Sequence, residues 1–305
     1  MAAGRLASSI KSDMLYKFLT SPLTVCAAIV AAILILCALL SPWIAPHDPF
    51  DTATVDLMNS LIPPVWQEDG DWTFLLGTDD QGRDLLSAIL YGTRTSIAVG
   101  FIAVGLAVAI GLILGLLAGY LGGFVDGFIM RVVDIQMTFP AIMVALLIDG
   151  ISRVILPREQ HDQLALFVII LSLALSIWPQ VARTVRASTM VEKNREYVQA
   201  VRIIGRPAIV IMLKHVMPNV LGPVLVIATI NLGVAILGEA TLSFLGVGMP
   251  ATEPSLGTLI RIGNNFLFSG ERWIVIFPGL TLALLVMSVN LLGDWLRDAL
   301  DPKLR

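Results

Sequence analysis

The sequence predicts an all-α integral membrane protein with six transmembrane helices and both termini in the cytoplasm. Composition is the first reason: of 305 residues, 56% are apolar and only 14% are charged, far from the balance of a soluble globular domain. The second is segregation of charge, which leaves long uncharged runs between polar stretches. The third is an uneven placement of Lys and Arg between alternate loops.

Five uncharged runs lie between Lys17 and Asp48, Arg94 and Asp126, Asp162 and Arg183, Lys214 and Glu239, and Arg272 and Asp294. Each is long enough to cross roughly 30 Å of hydrocarbon at about 1.5 Å per residue. The first follows Arg5, Lys11 and Lys17, as a signal peptide would, but Leu23 to Trp43 exceeds a usual signal core, so a retained helix is expected. Cys26 and Cys37 both fall in this run and are too far apart along one helix to bond to each other. A further span, third in order, has an uncharged core only from Ile135 to Ile148. It crosses if it begins near Phe128, which places Arg131 and Asp134 on one helical face, spaced to pair with each other.

Orientation follows from basic residues near helix ends. Segments 1–22, 121–131, 183–219 and the tail after 293 hold 14 Lys and Arg, against 6 in the alternate segments. The richer set is expected inside. The first outer loop, about 46–94, agrees with 9 acidic residues and 2 arginines, and its prolines and tryptophans suggest an ordered cap. The organisation expected is therefore an arm, first helix and acidic outer loop at 1–94, a five-helix core at 95–293, and a cytoplasmic tail at 294–305.

The inner loop 183–219 carries seven of the basic residues. Charge alone suits any loop facing headgroups. Its architecture is more specific: Glu196 to Ile204 reads as a short helix with an apolar side of Tyr197, Val198, Val201 and Ile204. Gly205 fits a helix stop, Pro207 the first turn of a second helix, and Pro218 a break before the fifth span. Such an element suits docking into a groove on a partner.

Elsewhere the candidates are structural or pathway residues. Gly111, Gly115 and Gly119 recur every four residues on one face of the second span, as close helix packing in lipid requires. Glu239, after Asn231 in the fifth span, is a carboxylate near membrane depth and a candidate for translocation or gating, with hydrogen bonding to the outer loop as the plainer role. In 75–94, Gly-Thr-Asp-Asp and Gly-Arg-Asp suggest a tight turn capped by Asp or Thr ahead of a helix. Trp295 in the tail suits headgroup depth.

Gly205 and Pro218 stand thirteen apart, with Ala200 preceding, and this loop resembles the cytoplasmic signature of binding-protein-dependent importer permeases. Gln199 replaces its Glu, Val201 its second Ala, His215 its Ile and Met217 its Leu. The segments LLGTDDQGRDLLSAILYGTR at 75–94, AGYLGGFVDGFIMRVVDIQMTFP at 118–140, LGEATLSFLGVG at 237–248 and NLLGDWLRDALDPKL at 290–304 resemble the dipeptide/oligopeptide permease C-subunit. Leu256 and Ala251 depart from that pattern where Trp and Pro are usual.

The resemblance implies the type I fold of ATP-binding-cassette importer permeases in a bacterial inner membrane. It implies a heterodimer with a second permease subunit, two ATPase subunits that bind ATP and Mg, and an extracytoplasmic solute-binding protein. It also gives Glu196, Ala200, Arg202 and Gly205, with Pro218, as residues coupling the chain to an ATPase. Related machines import dipeptides, longer peptides, glutathione, opines or nickel.

The chain itself carries no G-x-x-x-x-G-K-[ST] loop, no Cys/His cluster with metal spacing and no recognisable nucleophile motif. An enzyme, a resident cofactor and a nucleic-acid partner are not expected. The competing class is a secondary transporter driven by an ion gradient, for which matched intramembrane ionisable pairs are the sign and are missing.

Overall fold

Prolines and charges set the boundaries of the helices in the computed structural model, which describes residues 16, 18–49, 56–155, 157–250, 253 and 255–300. Eleven α-helices are found among the described residues: α1 Pro22–Leu39, α2 Ser41–Ile44, α3 Leu85–Leu121, α4 Gly123–Met137, α5 Ala141–Ile155, α6 Arg158–Glu192, α7 Glu196–Ile203, α8 Ala208–Ile211, α9 Met217–Phe244, α10 Leu256–Asn264 and α11 Trp273–Leu300. No β-strand occurs among them, and Thr78 and Asp84 make one isolated bridge. Five helical segments are long and apolar enough to cross a bilayer: Pro22–Leu39, Leu85–Leu121, Leu164–Glu192, Ala208–Phe244 and Trp273–Ala299.

The third span differs from the single helix expected near Phe128. In its place stands the pair α4 and α5, bent by 91°, which is apolar and long enough to cross only when the two are taken together, as a broken span or a re-entrant segment. The bend falls at Thr138-Phe139-Pro140, because Pro140 has no N–H to continue the ladder and disfavours helical geometry at Phe139. Arg131 and Asp134 do not pair with each other. Asp134 instead accepts from Arg183 Nη2 of α6 at 2.6 Å, because α4 packs along α6. Trp178 Nε1 of α6 donates to Gln136 Oε1 at 3.0 Å and fixes the same contact from the apolar side.

Pro218 does not break the helix before the fifth span. Met212–Val216 forms a π-turn that joins α8 to α9, so helix runs from Ala208 to Phe244. A π-turn opens the ladder by one residue and accommodates the missing N–H without ending the helix. Pro207 likewise stands at the N-cap of α8, just ahead of the first turn.

The packing centre is α3 against α6. Gly111, Gly115 and Gly119 lie on the contact face: a Cβ on Gly111 would sit 2.6 Å from Val181 Cβ, on Gly115 2.6 Å from Ala182 O, and on Gly119 2.8 Å from Arg186 O. Backbone meets side chain here with no room for a methyl group, which is how small residues bring helices together in lipid. Around this seam a core of Val104, Leu116, Trp178, Val181, Val185 and Val220 joins α3, α6 and α9. A second core at the other end joins α3 and α9 to α10 and α11 through Leu85, Ile236, Leu256, Leu259 and Leu285.

Residues 56–84, the described part of the acidic loop, form an ordered cap, as the composition of the loop suggested. Thr78 Oγ1 donates to Asn59 O at 2.6 Å and accepts from Ile62 N at 2.8 Å, while Trp273 Nε1 of α11 donates to Thr78 O at 3.2 Å. Asp79 takes the backbone N–H groups of Gln81 and Arg83 and the Arg83 Nε, the last at 2.7 Å. Asp84 then caps α3 by accepting from Ser87 N at 2.9 Å. Together these bonds hold the cap against the start of α3 and α11.

Candidate functional site

The loop between α6 and α9 is built from residues that point in opposite senses. On α7, Val198 is buried and Val201 packs against the core. Ile203 and Ile204 lie on the other side, 86% and 76% exposed, and Ile209 of α8 is 61% exposed. The expected apolar side thus divides: Ile204 faces away from the protein instead of sharing the inward face with Val198. Outward isoleucines at the tip of a polar loop form an apolar knob, and they are the feature a partner groove would cover.

Gly205 ends the helix with φ of +80°, a left-handed conformation that L side chains resist. Its N–H bonds to Arg202 O at 3.0 Å and Ile204 N to Ala200 O at 3.2 Å, which satisfies two of the carbonyls in the last turn of α7. Glu196, in the first turn of α7, and Arg202, in its last, complement the helix dipole. Glu196, Ala200, Arg202, Gly205 and Pro218 are all exposed; the first four occupy the same loop as the isoleucine knob, and Pro218 stands in the first turn of α9.

Tyr197 ties the knob to the membrane helices. Its hydroxyl donates to Glu192 at the end of α6, with His215 O at 3.1 Å as the alternative acceptor, and accepts from Asn219 Nδ2 at 2.7 Å. Burial, then the bond to Glu192, pushes the phenol above its ordinary value, so it stays a neutral donor at physiological pH. Gln199 Nε2 adds a bond to Lys193 O at 3.1 Å, and Lys193 Nζ caps the end of α3 through Gly119 O at 2.6 Å. Arg186 makes a bidentate ion pair with Asp126 on α4. One short helix is therefore bonded to α6 and α9, and α6 in turn to α3 and α4.

The two residues considered for translocation are not brought together. Asn231 is buried, and its Nδ2 donates to Ile227 O of its own helix at 2.8 Å. Glu239 lies eight residues farther, about 12 Å along α9, and is fully buried. Ser96 Oγ of α3 donates to Glu239 Oε2 at 2.5 Å and Ser243 Oγ to Oε1 at 2.7 Å. Ser96 Oγ also accepts from Leu256 N of α10 at 3.4 Å, so the network extends from α3 and α9 to α10. A buried carboxylate met by hydroxyl donors is a satisfied brace between helices. Sequence spacing gave no sign of Ser96, whose partner Glu239 lies 143 residues away, and it placed Tyr197 on an apolar side with no hint of its hydroxyl bonds.

Among the described residues, no cluster of three or more His, Cys, Asp or Glu is arranged to hold a metal. Comparison with known proteins places these features in context. Residues 111–305 match the family model described as binding-protein-dependent transport system inner membrane component, and residues 9–64 match the N-terminal TM domain of oligopeptide transport permease C. The dipeptide transport system permease protein DppC of Escherichia coli is 46% identical over 273 residues, covering 90% of this chain and 86% of the relative. Its counterpart in Haemophilus influenzae is 41% identical, covering 90% and 88%. The di/tripeptide transport system permease protein of Pseudomonas aeruginosa is 39% identical, covering 90% and 86%. Among solved structures, an inward-facing methionine ABC transporter, MetNI, superposes with a TM-score of 0.56 at 21% identity, covering 70% of this chain and 97% of that one.

Proposed function

Because the chain belongs to the binding-protein-dependent transport system inner membrane components, a family of multi-pass transport permeases, we propose that it forms half of a translocation pathway for di- and oligopeptides. The other half is a second permease subunit. Two ATPase subunits, which hold ATP and Mg, dock on the inner loops, and an extracytoplasmic binding protein delivers the solute. Both termini face the cytoplasm, as the distribution of basic residues supports.

The observation that carries this reading is the isoleucine knob of α7 and α8, bonded through Tyr197 to both α6 and α9. A docked ATPase that moves the knob moves two spans with it, because short hydrogen bonds transmit displacement better than a slack loop does. Glu196, Ala200, Arg202 and Gly205 contact the ATPase, Pro218 shapes the π-turn by which α8 leads into α9, and Glu239 braces the outer end. The peptide class rests on the dipeptide permeases at 39–46% identity. Nickel, glutathione and opines are the alternatives within the same machine.

The test is uptake of radiolabelled dialanine by proteoliposomes containing the complete complex. Gly205→Pro, or Glu196→Lys combined with Arg202→Glu, abolishes uptake while the protein still inserts. Normal uptake at normal expression sinks the coupling role. Uptake driven by an ion gradient without ATP would identify a secondary transporter instead.

A further inference from the structure

A polar cleft at the far end of the molecule from α7 has no part in the reading above. It lies where the end of α5, the start of α6, the turn after α9 and helix α10 meet, and it encloses about 200 Å³. Its polar lining comes from Asp149, Ser152, Arg153, Arg261 and the backbone at Gly246 and Gly248. Two guanidiniums face one carboxylate. Arg153 Nε donates to Asp149 Oδ2 at 2.6 Å, and Arg153 Nη2 reaches Gly246 O at 3.5 Å. Arg261 Nε is buried without a hydrogen-bond partner among the described residues, and its Nη1 stands 4.0 Å from the position of a Cβ on Gly246.

A buried guanidinium N–H left unbonded costs stability, so its retention beside a cleft calls for a ligand that completes it. The excess of one positive charge suits a monoanion, and a guanidinium prefers the planar geometry of a carboxylate. The volume is below the roughly 300–1,000 Å³ of a pocket that encloses a whole small molecule, so an end group fits and a long solute does not. Asp149 adds an acceptor suited to an N–H next to that carboxylate; a phosphate, with acceptors alone, would face it unfavourably.

We propose that this cleft holds the C-terminal carboxylate of a peptide on the outer side of the membrane, with Arg261 as the principal donor and Arg153, held by Asp149, as the second. The assignment rests on the peptide-import reading for its ligand, but its test does not depend on transport. Phenylglyoxal modifies accessible arginines, and mass spectrometry of the purified complex reads Arg153 and Arg261 separately. Millimolar dialanine slows modification at both at least threefold, and dialanine amide, which lacks the carboxylate, does not. Arg261→Lys weakens the protection at Arg153 and Arg261→Gln removes it, with unchanged thermal unfolding of the complex.

Equal protection by the amide, protection only by inorganic phosphate or by dihexanoyl phosphatidylethanolamine, or no protection overturns the proposal. Failure of the complex to import dialanine while carboxylate-dependent protection persists would overturn the import reading and leave the site standing.

Discussion

Ser96 Oγ donates to Glu239 Oε2 at 2.5 Å and thereby joins α3 to α9 inside the protein, between residues 143 positions apart. Ser243 satisfies the other carboxylate oxygen from one turn along the same helix. Removing the carboxylate leaves hydroxyls unpaired and opens a cavity, whereas an amide of the same shape can still accept from one serine and donate to the other. Glu239→Ala is therefore expected to destabilise the protein by about 2–5 kcal/mol, and Glu239→Gln by less than about 1.5 kcal/mol. Thermal unfolding in detergent measures both. Uptake follows stability in the two variants; a Gln variant of full stability that fails to transport would assign the charge a direct role in gating.

The seam between α3 and α6 gives a sharper contrast. Gly115 has Ala182 O and Val185 Cβ each 2.6 Å from where its Cβ would be, while Gly105 on the same helix has nothing within 4 Å. Gly115→Leu forces the helices apart and costs about 1–3 kcal/mol or more, the range for overpacking a filled interior. Gly105→Ala leaves the melting temperature unchanged or slightly raised, because the helix gains propensity without a clash. Equal effects at both positions would show that close approach at this seam contributes nothing.

Much of this was legible because membrane helices declare themselves through uncharged length, and five of the six expected spans stand where the runs of sequence put them. The Gly111, Gly115 and Gly119 face was equally legible, since a four-residue repeat fixes a face before any partner is known. What sequence could not give was direction at a proline. Pro140 coincides with a bend of 91° and Pro218 only with a π-turn, although each lacks the same N–H. The partner of Asp134 was missed as well: spacing put Arg131 nearby, but the packing of α4 along α6 brought Arg183 closer. Tyr197 looked apolar by position, and its hydroxyl proved to be the link between α6 and α9.

The outer cap carries its own pH dependence. Burial, then the neighbouring Asp79 carboxylate, raises the Asp80 carboxyl above its ordinary value. A raised pKa means that the folded cap binds this proton more readily than the unfolded chain does. Its contribution is fully present below the ordinary carboxylate pKa and is lost as pH rises through the raised value. Hydrogen exchange in residues 75–84, corrected for intrinsic rates, is expected to slow in mild acid, and Asp80→Asn is expected to flatten that response. A wild-type cap that is better protected at high pH would contradict the sign.

Gly205 permits a graded test, because its φ of +80° is the only demand made on it: nothing lies within 4 Å of where a Cβ would be. Left-handed backbone costs most L residues roughly 1–2 kcal/mol, and Asn less, since its side chain bonds locally in that conformation. Proline cannot adopt it at all. The order expected for uptake is therefore Gly, then Asn, then Ala, with Pro inactive, while thermal unfolding of the membrane helices stays within about 0.5 kcal/mol for the Asn and Ala variants, as at surface sites. Exchange at residues 196–204 should rise in the same order as uptake falls. If uptake falls with no change in exchange there, the loss comes from the docking surface itself and the left-handed stop at Gly205 is not what stiffens the knob.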